Sequence, residues 1–134
     1  MAVTTTVRVR FSETDAIGHV NNVSYFIYIE QARVDFLKFL SISINTSDEH
    51  IKAAVVSVSC DFFSQAFFDD ELDINTLVEK IGSKSLTLRH VIYHSDTKKK
   101  IAEGKSVVVL LDVKQNRSVA LPESWIDKMK EHLV

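Results

Sequence analysis

Cysteine and proline each occur once in the 134 residues, and glycine only three times. The lone thiol, Cys60, excludes an internal disulfide and a multi-cysteine metal site. So few glycines and prolines leave almost nothing from which to build flexible linkers or a glycine-rich phosphate loop. A basic excess is missing as well. Sixteen Lys and Arg against 18 Asp and Glu give a net charge of −2, which argues against a dedicated nucleic-acid binder. The longest aliphatic run, Val107 to Leu111, falls far short of a membrane span. Met1 to Arg10 alternates polar and apolar residues without the apolar core of a signal peptide, so the expected location is the cytoplasm. The glycosylation-type triplets at Asn22, Asn45 and Asn116 are accordingly read as chance.

What is present is an ordinary globular composition, 46% hydrophobic and 25% charged, expected to form a single domain over residues 1–134. Val3, Thr5, Val7, Val9 and Phe11 fall on one side of a period-two pattern, predicting a half-buried strand. A polar stretch, Ser12 to Asn22, follows. Val23 to Leu40 then contains no Gly or Pro and predicts a helix capped by Asn21 or Asn22. The helix is apolar nearly all round, so it should be buried on most sides, by a curved sheet or by a partner chain. From about Ala53 the pattern changes to strands. Ala54, Val56, Val58, Cys60 and Phe62 form one alternating apolar face, and Leu72 to Ile81, Leu86 to His94 and Ile101 to Leu111 supply three more strands. Short connectors at Gly82-Ser83, Ser95 to Lys99 and Asp112 to Arg117 predict antiparallel neighbours in a four-strand meander. Pro122 suits the first position of a C-terminal helix running through Leu133. The expected class is α+β, with the long helix across the concave face of the sheet.

Several motifs resemble chemistry without its full requirements. Gly104-Lys105-Ser106 has Lys99 where a phosphate loop needs glycine, and a strand follows where a helix is required. His90 and His94 share a strand face but lack a third ligand, and are read as polar residues on a solvated or interface face. No Gly-x-Ser-x-Gly elbow exists. Cys60, on its apolar face, is expected to be a buried, inert thiol.

The informative stretch is Phe11 to Tyr25, which packs Asp15, His19, Asn21 and Asn22 between a strand and the start of a buried helix. First-turn amides lack intrahelical partners and can bind a developing oxyanion, while a nearby carboxylate can attack an acyl carbonyl or activate water. The residues alone equally allow Asp15, Asn21 and Asn22 to be turn caps.

Thr14-Asp15-x-x-Gly18-His19-Val20-Asn21-Asn22-x-x-Tyr25, followed by Glu30 and Ala32-Arg33, resembles the hotdog-fold thioesterases of the 4-hydroxybenzoyl-CoA thioesterase type. The His-Val-Asn-Asn-x-x-Tyr portion is also similar to plant acyl-carrier-protein thioesterases. Ala102 through Asp112 resembles the family's last long strand, and Leu121-Pro122 its closing segment. The resemblance implies a hotdog fold, an antiparallel sheet wrapped around a long central helix. It implies that Asp15 is the catalytic carboxylate, as nucleophile or general base, that the Asn22 backbone amide is the oxyanion donor, and that His19 positions or polarises the substrate. Asn21 and Tyr25 would contact substrate. Ile17 stands where the plant enzymes carry asparagine, which shifts weight onto Asp15. Gln65 and Asp69 stand where relatives often have Pro and Gly. The resemblance further implies a site between subunits and a homodimer, often paired into a tetramer.

Hydrolysis of acyl-CoA is thus the expected function, with no cofactor and no metal. A thiol leaving group with a pKa of about 8.5 needs little acid assistance. The alternatives are an acyl-carrier-protein substrate, a non-hydrolytic acyl-CoA sensor, and a hotdog dehydratase, whose carboxylate–histidine spacing is longer than that of Asp15 and His19. Lys84, Arg89, Lys98 and Lys99, with neighbouring Lys100 and Lys105, are candidate contacts for the CoA phosphates, although a lysine run at a turn is commonly just solvated. Glu30 and Arg33, three apart, are expected to form a structural ion pair on the helix. The eight phenylalanines fit either an acyl tunnel or core packing.

Overall fold

A computed structural model describes residues 2–40 and 50–134, so the Asn45 triplet lies outside the described residues. Strand β1 (Val3–Arg8) leads through a 3-10 turn at Phe11–Glu13 into helix α1 (Asn22–Phe39). Strands β2 (Ile51–Phe62), β3 (Glu71–Ile81), β4 (Ser85–His94), β5 (Lys100–Asp112) and β6 (Arg117–Val119) follow, and helix α2 (Glu123–Lys130) closes the chain. All strand pairs are antiparallel, in the order β1-β3-β4-β5-β2, with β6 also paired to β5. This is the hotdog arrangement, with α1 laid against the sheet.

The strands lie close to where alternation places them, but their order corrects the expected meander. Of the four strands expected in that meander, β3, β4 and β5 are consecutive neighbours and β2 is not next to β3. β2 pairs with β5, and β1 takes the place beside β3. The cause is the connection from Phe63 to Asp70, too long for a tight hairpin, which carries the chain across the sheet instead of folding it back. β6, placed in part within a turn by the sequence, is a further short strand. β1 stops at Arg8, and Phe11 is 76% exposed rather than buried. Turn chemistry overrides the alternation here: the Glu13 carboxylate accepts the Arg10 amide, and the Arg10 carbonyl accepts the Glu13 amide.

α1 begins where expected, with Asn21 as its cap accepting the Val23 amide at 3.1 Å. Tyr25, Tyr28, Ile29, Ala32, Phe36 and Leu37 recur at helical spacing and face the sheet. Within one chain only that stripe is covered; Val23, Phe26, Ile27 and Phe39 are exposed. Glu30 and Arg33 do not make the expected ion pair within 4 Å. Arg33 is half-buried, and desolvation lowers its pKa against the pull of the Glu30 charge.

Ile29 of the helix packs directly on the backbone of β5 at Gly104. A Cβ there would run into the Ile29 side chain and approach the Ser59 carbonyl to 3.0 Å. Glycine is needed for this close approach, and Gly104-Lys105-Ser106 lies inside a strand. His90 departs from the expected solvated face. It is fully buried, with Nδ1 3.0 Å from Thr76 Oγ1 and Nε2 2.8 Å from Ser106 Oγ. Burial, reinforced by the Arg33 charge, lowers its pKa to about 3. β2 is a second correction. Its alternating face is not buried within the chain, since the strand lies at the sheet edge and bulges between Val55 and Ser57; Val56 is 60% exposed. Cys60 is accordingly half-buried, and the remaining burial pushes its thiol up to about 11, which keeps it protonated at neutral pH. Pro122 caps α2 one position before its first residue, and the helix ends at Lys130, short of Leu133.

Candidate active site

Residues 13–22 are held as a tight loop between β1 and α1. Thr14 and Val20 bridge in antiparallel fashion, the Asp15 amide donates to the His19 carbonyl at 2.8 Å, and the Gly18 amide donates to the Asp15 carbonyl at 3.1 Å. Gly18 has φ +92°, which only glycine adopts freely. Asp15 Oδ1 accepts the Ile17 amide at 2.9 Å and the His19 amide at 3.2 Å. One carboxylate oxygen thus orients the side chain, and Oδ2 has no partner among the described residues. This Asx-type geometry is the turn capping that the residues alone allowed, and it leaves half of the carboxylate unengaged.

The helix start supplies the complementary group. The Asn21 amide donates to the Glu13 carbonyl at 2.8 Å, the Val23 amide to Asn21 Oδ1, and the Ser24 amide to the Asn21 carbonyl at 2.9 Å. That leaves the Asn22 amide as the first-turn donor without an acceptor among the described residues. Asp15, His19, Asn21, Asn22 and Tyr25 border one cleft of about 680 Å³. Its other wall is Phe62 to Gln65, the end of β2 and the loop after it. The Ala66 carbonyl accepts the Val20 amide at 2.8 Å, and His19 bridges Phe67, tying the two walls together. The His19 ring lies edge-on to Phe67 with centroids 5.2 Å apart.

Tyr25 is 3% exposed and packs on Phe62 and Tyr28. Its hydroxyl is buried without a hydrogen-bond partner among the described residues, and desolvation pushes the phenol up to about 12. Of the eight phenylalanines, Phe36 alone is buried, so core packing does not account for their number. Phe62 and Phe63 line the cleft, and Phe11 and Phe68 meet edge-on at 5.8 Å outside it.

The basic candidates separate. Lys84 sits in the β3–β4 turn, at the far end of the strands from this cleft. Arg89 points from the opposite sheet face to buried His90 and is neutralised by Glu79 at 3.2 Å, which also holds Lys105 at 3.1 Å. Lys98, at φ +63°, and Lys99 occupy the β4–β5 turn at the same end as the cleft but do not line it. Lys100 comes nearest: its ammonium lies 4.4 Å from the centre of the Phe63 ring and 3.2 Å from Glu103. Asp69 has φ +68°, so the turn where relatives often carry glycine keeps a left-handed residue.

Sequence reasoning passed over Glu13 and the wall from Phe62 to Gln65. Glu13 is buried, and its carboxylate accepts the Arg10 amide, the Arg10 guanidinium and the Tyr28 hydroxyl. Burial alone would raise its pKa; those hydrogen bonds outweigh it and hold the carboxyl below the usual range. The available signal was the three-residue spacing from Arg10 to Glu13, that of a capping box.

Comparison with known proteins identifies the family. A model of the Thioesterase-like superfamily matches residues 9–131. The Bacillus subtilis (strain 168) protein YsmA is 35% identical over 96% of this chain and 82% of its own length. The Escherichia coli O6:H1 acyl-CoA thioester hydrolase YbgC is 28% identical, over 93% of each chain. Among solved structures, a 1,4-dihydroxy-2-naphthoyl-CoA thioesterase from Synechocystis superposes with a TM-score of 0.90 at 19% identity, covering 98% of this chain and 97% of the other, a likeness of fold.

Proposed function

The chain belongs to the Thioesterase-like superfamily, and on that premise we propose that it hydrolyses acyl-CoA thioesters to the free acid and CoA. The observation that carries this reading is the pairing, across one cleft, of the unengaged Asp15 Oδ2 with the unengaged Asn22 amide. The acyl carbonyl oxygen takes the Asn22 amide, which stabilises the negative charge that develops on it. Asp15 Oδ2 either attacks the carbonyl carbon or removes a proton from a water that does so. Collapse of the tetrahedral intermediate expels CoA thiolate, which leaves without strong acid assistance because its thiol pKa is about 8.5. On the nucleophile route, water then hydrolyses the acyl–Asp15 anhydride to release the free acid and restore the carboxylate. His19, packed on Phe67, lines the same cleft and orients the thioester. Lys100 is the cation best placed at the cleft wall for a CoA phosphate, ahead of Lys98 and Lys99.

The working form is proposed to be a homodimer. β2 spans 12 residues, its outer edge has no partner strand among the described residues, and Val55, Val56 and Val58 are exposed along it. A bare, apolar edge of that length is a template for a second chain. Asp15 and Phe62 are exposed in a single chain, so a partner laid along β2 would also shield the cleft from bulk water.

The test is release of free thiol from short, long and aromatic acyl-CoAs by wild type and Asp15→Asn. The expected result is cleavage by wild type and a loss of about 10²–10⁴-fold in Asp15→Asn with folding unchanged. Binding of acyl-CoA without cleavage would overturn hydrolysis in favour of a binding role. Single turnover in H₂¹⁸O separates the two roles of Asp15, because only the nucleophile route can place label in its carboxylate.

A further inference from the structure

Glu13 is 6% exposed, yet it carries a carboxylate and lies two residues before Asp15. Burying a charged group is costly unless it is hydrogen-bonded, and this one is fully engaged. Oε1 accepts the Arg10 amide at 2.8 Å and the Tyr28 hydroxyl at 2.9 Å; Oε2 accepts the Arg10 guanidinium at 3.1 Å. Its main-chain carbonyl is engaged as well, accepting the Asn21 amide at 2.8 Å and the Ser24 hydroxyl at 3.0 Å. The side chain therefore anchors the residue to the second turn of α1, and the carbonyl holds the cap of the same helix.

These contacts converge on the two groups that must be held at a set distance. Going forward along the chain, Glu13 precedes Asp15 by two residues. Across the loop, it bonds the residue immediately before the Asn22 amide. A shift of Glu13 would move the carboxylate and the helix start relative to each other, whereas either group's own contacts orient it only locally.

We propose that Glu13 is the positioning residue of this site, setting the separation between the Asp15 carboxylate and the Asn22 amide through Tyr28, Arg10, Asn21 and Ser24. It does not touch substrate. The proposal rests on the thioesterase reading for its catalytic consequence, but the geometric claim can be read without substrate.

The experiment compares wild type, Glu13→Gln, Glu13→Ala, Tyr28→Phe and Asp15→Asn by two readouts: kcat and KM on an acyl-CoA over a range of pH, and hydrogen exchange at the Ile17, His19 and Asn21 amides. A misplacement of roughly 1 Å can cost on the order of 10²-fold. Glu13→Ala is therefore expected to lose about 100-fold in kcat with KM within about twofold. Tyr28→Phe should lose about 10-fold, and Glu13→Gln, which keeps an acceptor oxygen, should recover most of the rate. Protection at the three amides should fall in Glu13→Ala and Tyr28→Phe while β3, β4 and β5 keep theirs. Tyr28→Phe at wild-type kcat with protection intact overturns the proposal, and it decides the matter if Glu13→Ala does not fold. Loss of the acid limb of the pH profile in Glu13→Gln also overturns it, since Glu13 would then be taking the proton itself. Should wild type cleave no acyl-CoA, the hydrolase reading fails, and amide exchange alone upholds or overturns the positioning role.

Discussion

The side-chain oxygen of Asn21 accepts the Val23 amide at 3.1 Å, and by doing so leaves the Asn22 amide as the first free donor of α1. One cap thus both starts the helix and decides which first-turn amide is left without an acceptor among the described residues. Asn21→Ala should cost about 1 kcal/mol of stability, the usual worth of such a cap, read from the urea midpoint. It should also lower kcat, because the first turn frays where the proposed oxyanion donor sits. Unchanged kcat in a destabilised Asn21→Ala would argue that the Asn22 amide is not the donor.

His90 makes stability pH-dependent. In the folded chain it stays neutral down to about pH 3, while the unfolded chain takes up a proton below about 6.5. Its contribution is therefore fully present above about pH 6.5 and is lost as pH falls towards 3. The expected slope is about 1.4 kcal/mol per pH unit within that window. Denaturation midpoints between pH 7 and 5 check this, and His90→Gln, which keeps polar contacts but cannot titrate, should flatten the profile. An equally steep wild-type and His90→Gln dependence would assign the effect to other groups.

Gly104→Ala should destabilise by about 1–3 kcal/mol, the typical cost of overpacking, because the added methyl meets Ile29 and the Ser59 carbonyl. Ile29→Val should return part of the loss by withdrawing the atom it meets first. Thermal unfolding of the two single variants and the double variant measures that coupling directly.

Val56→Lys and Val58→Lys place charges along the bare edge of β2. Each should convert a dimer into monomers in sedimentation velocity with little change in secondary structure, and activity should fall with the dimer. A dimer that survives both substitutions would place the interface elsewhere.

Local chemistry was readable without coordinates. The period-two runs of β1, β3, β4 and β5 reflect one buried sheet face, with every second side chain pointing inward. Asn21 marked the start of α1, and the spacing of Asp15, Gly18, His19 and Asn22 marked the cleft, since a turn and a helix cap are built within a few residues. Lys84 and Arg89 were legible as charges, but nothing local says that Lys84 lies at the other end of the sheet or that Arg89 is spent on Glu79.

The sequence by itself determined the element types and the loop that carries Asp15. Only the tertiary structure decided that β2 lies beyond β5 at the edge of the described sheet, that His90 is buried between Thr76 and Ser106, and that Glu13 anchors to Tyr28. The physical reason is range. Turns, caps and periodicity are set by neighbours in the chain, whereas strand order, burial and long-range hydrogen bonds depend on which distant segments pack together.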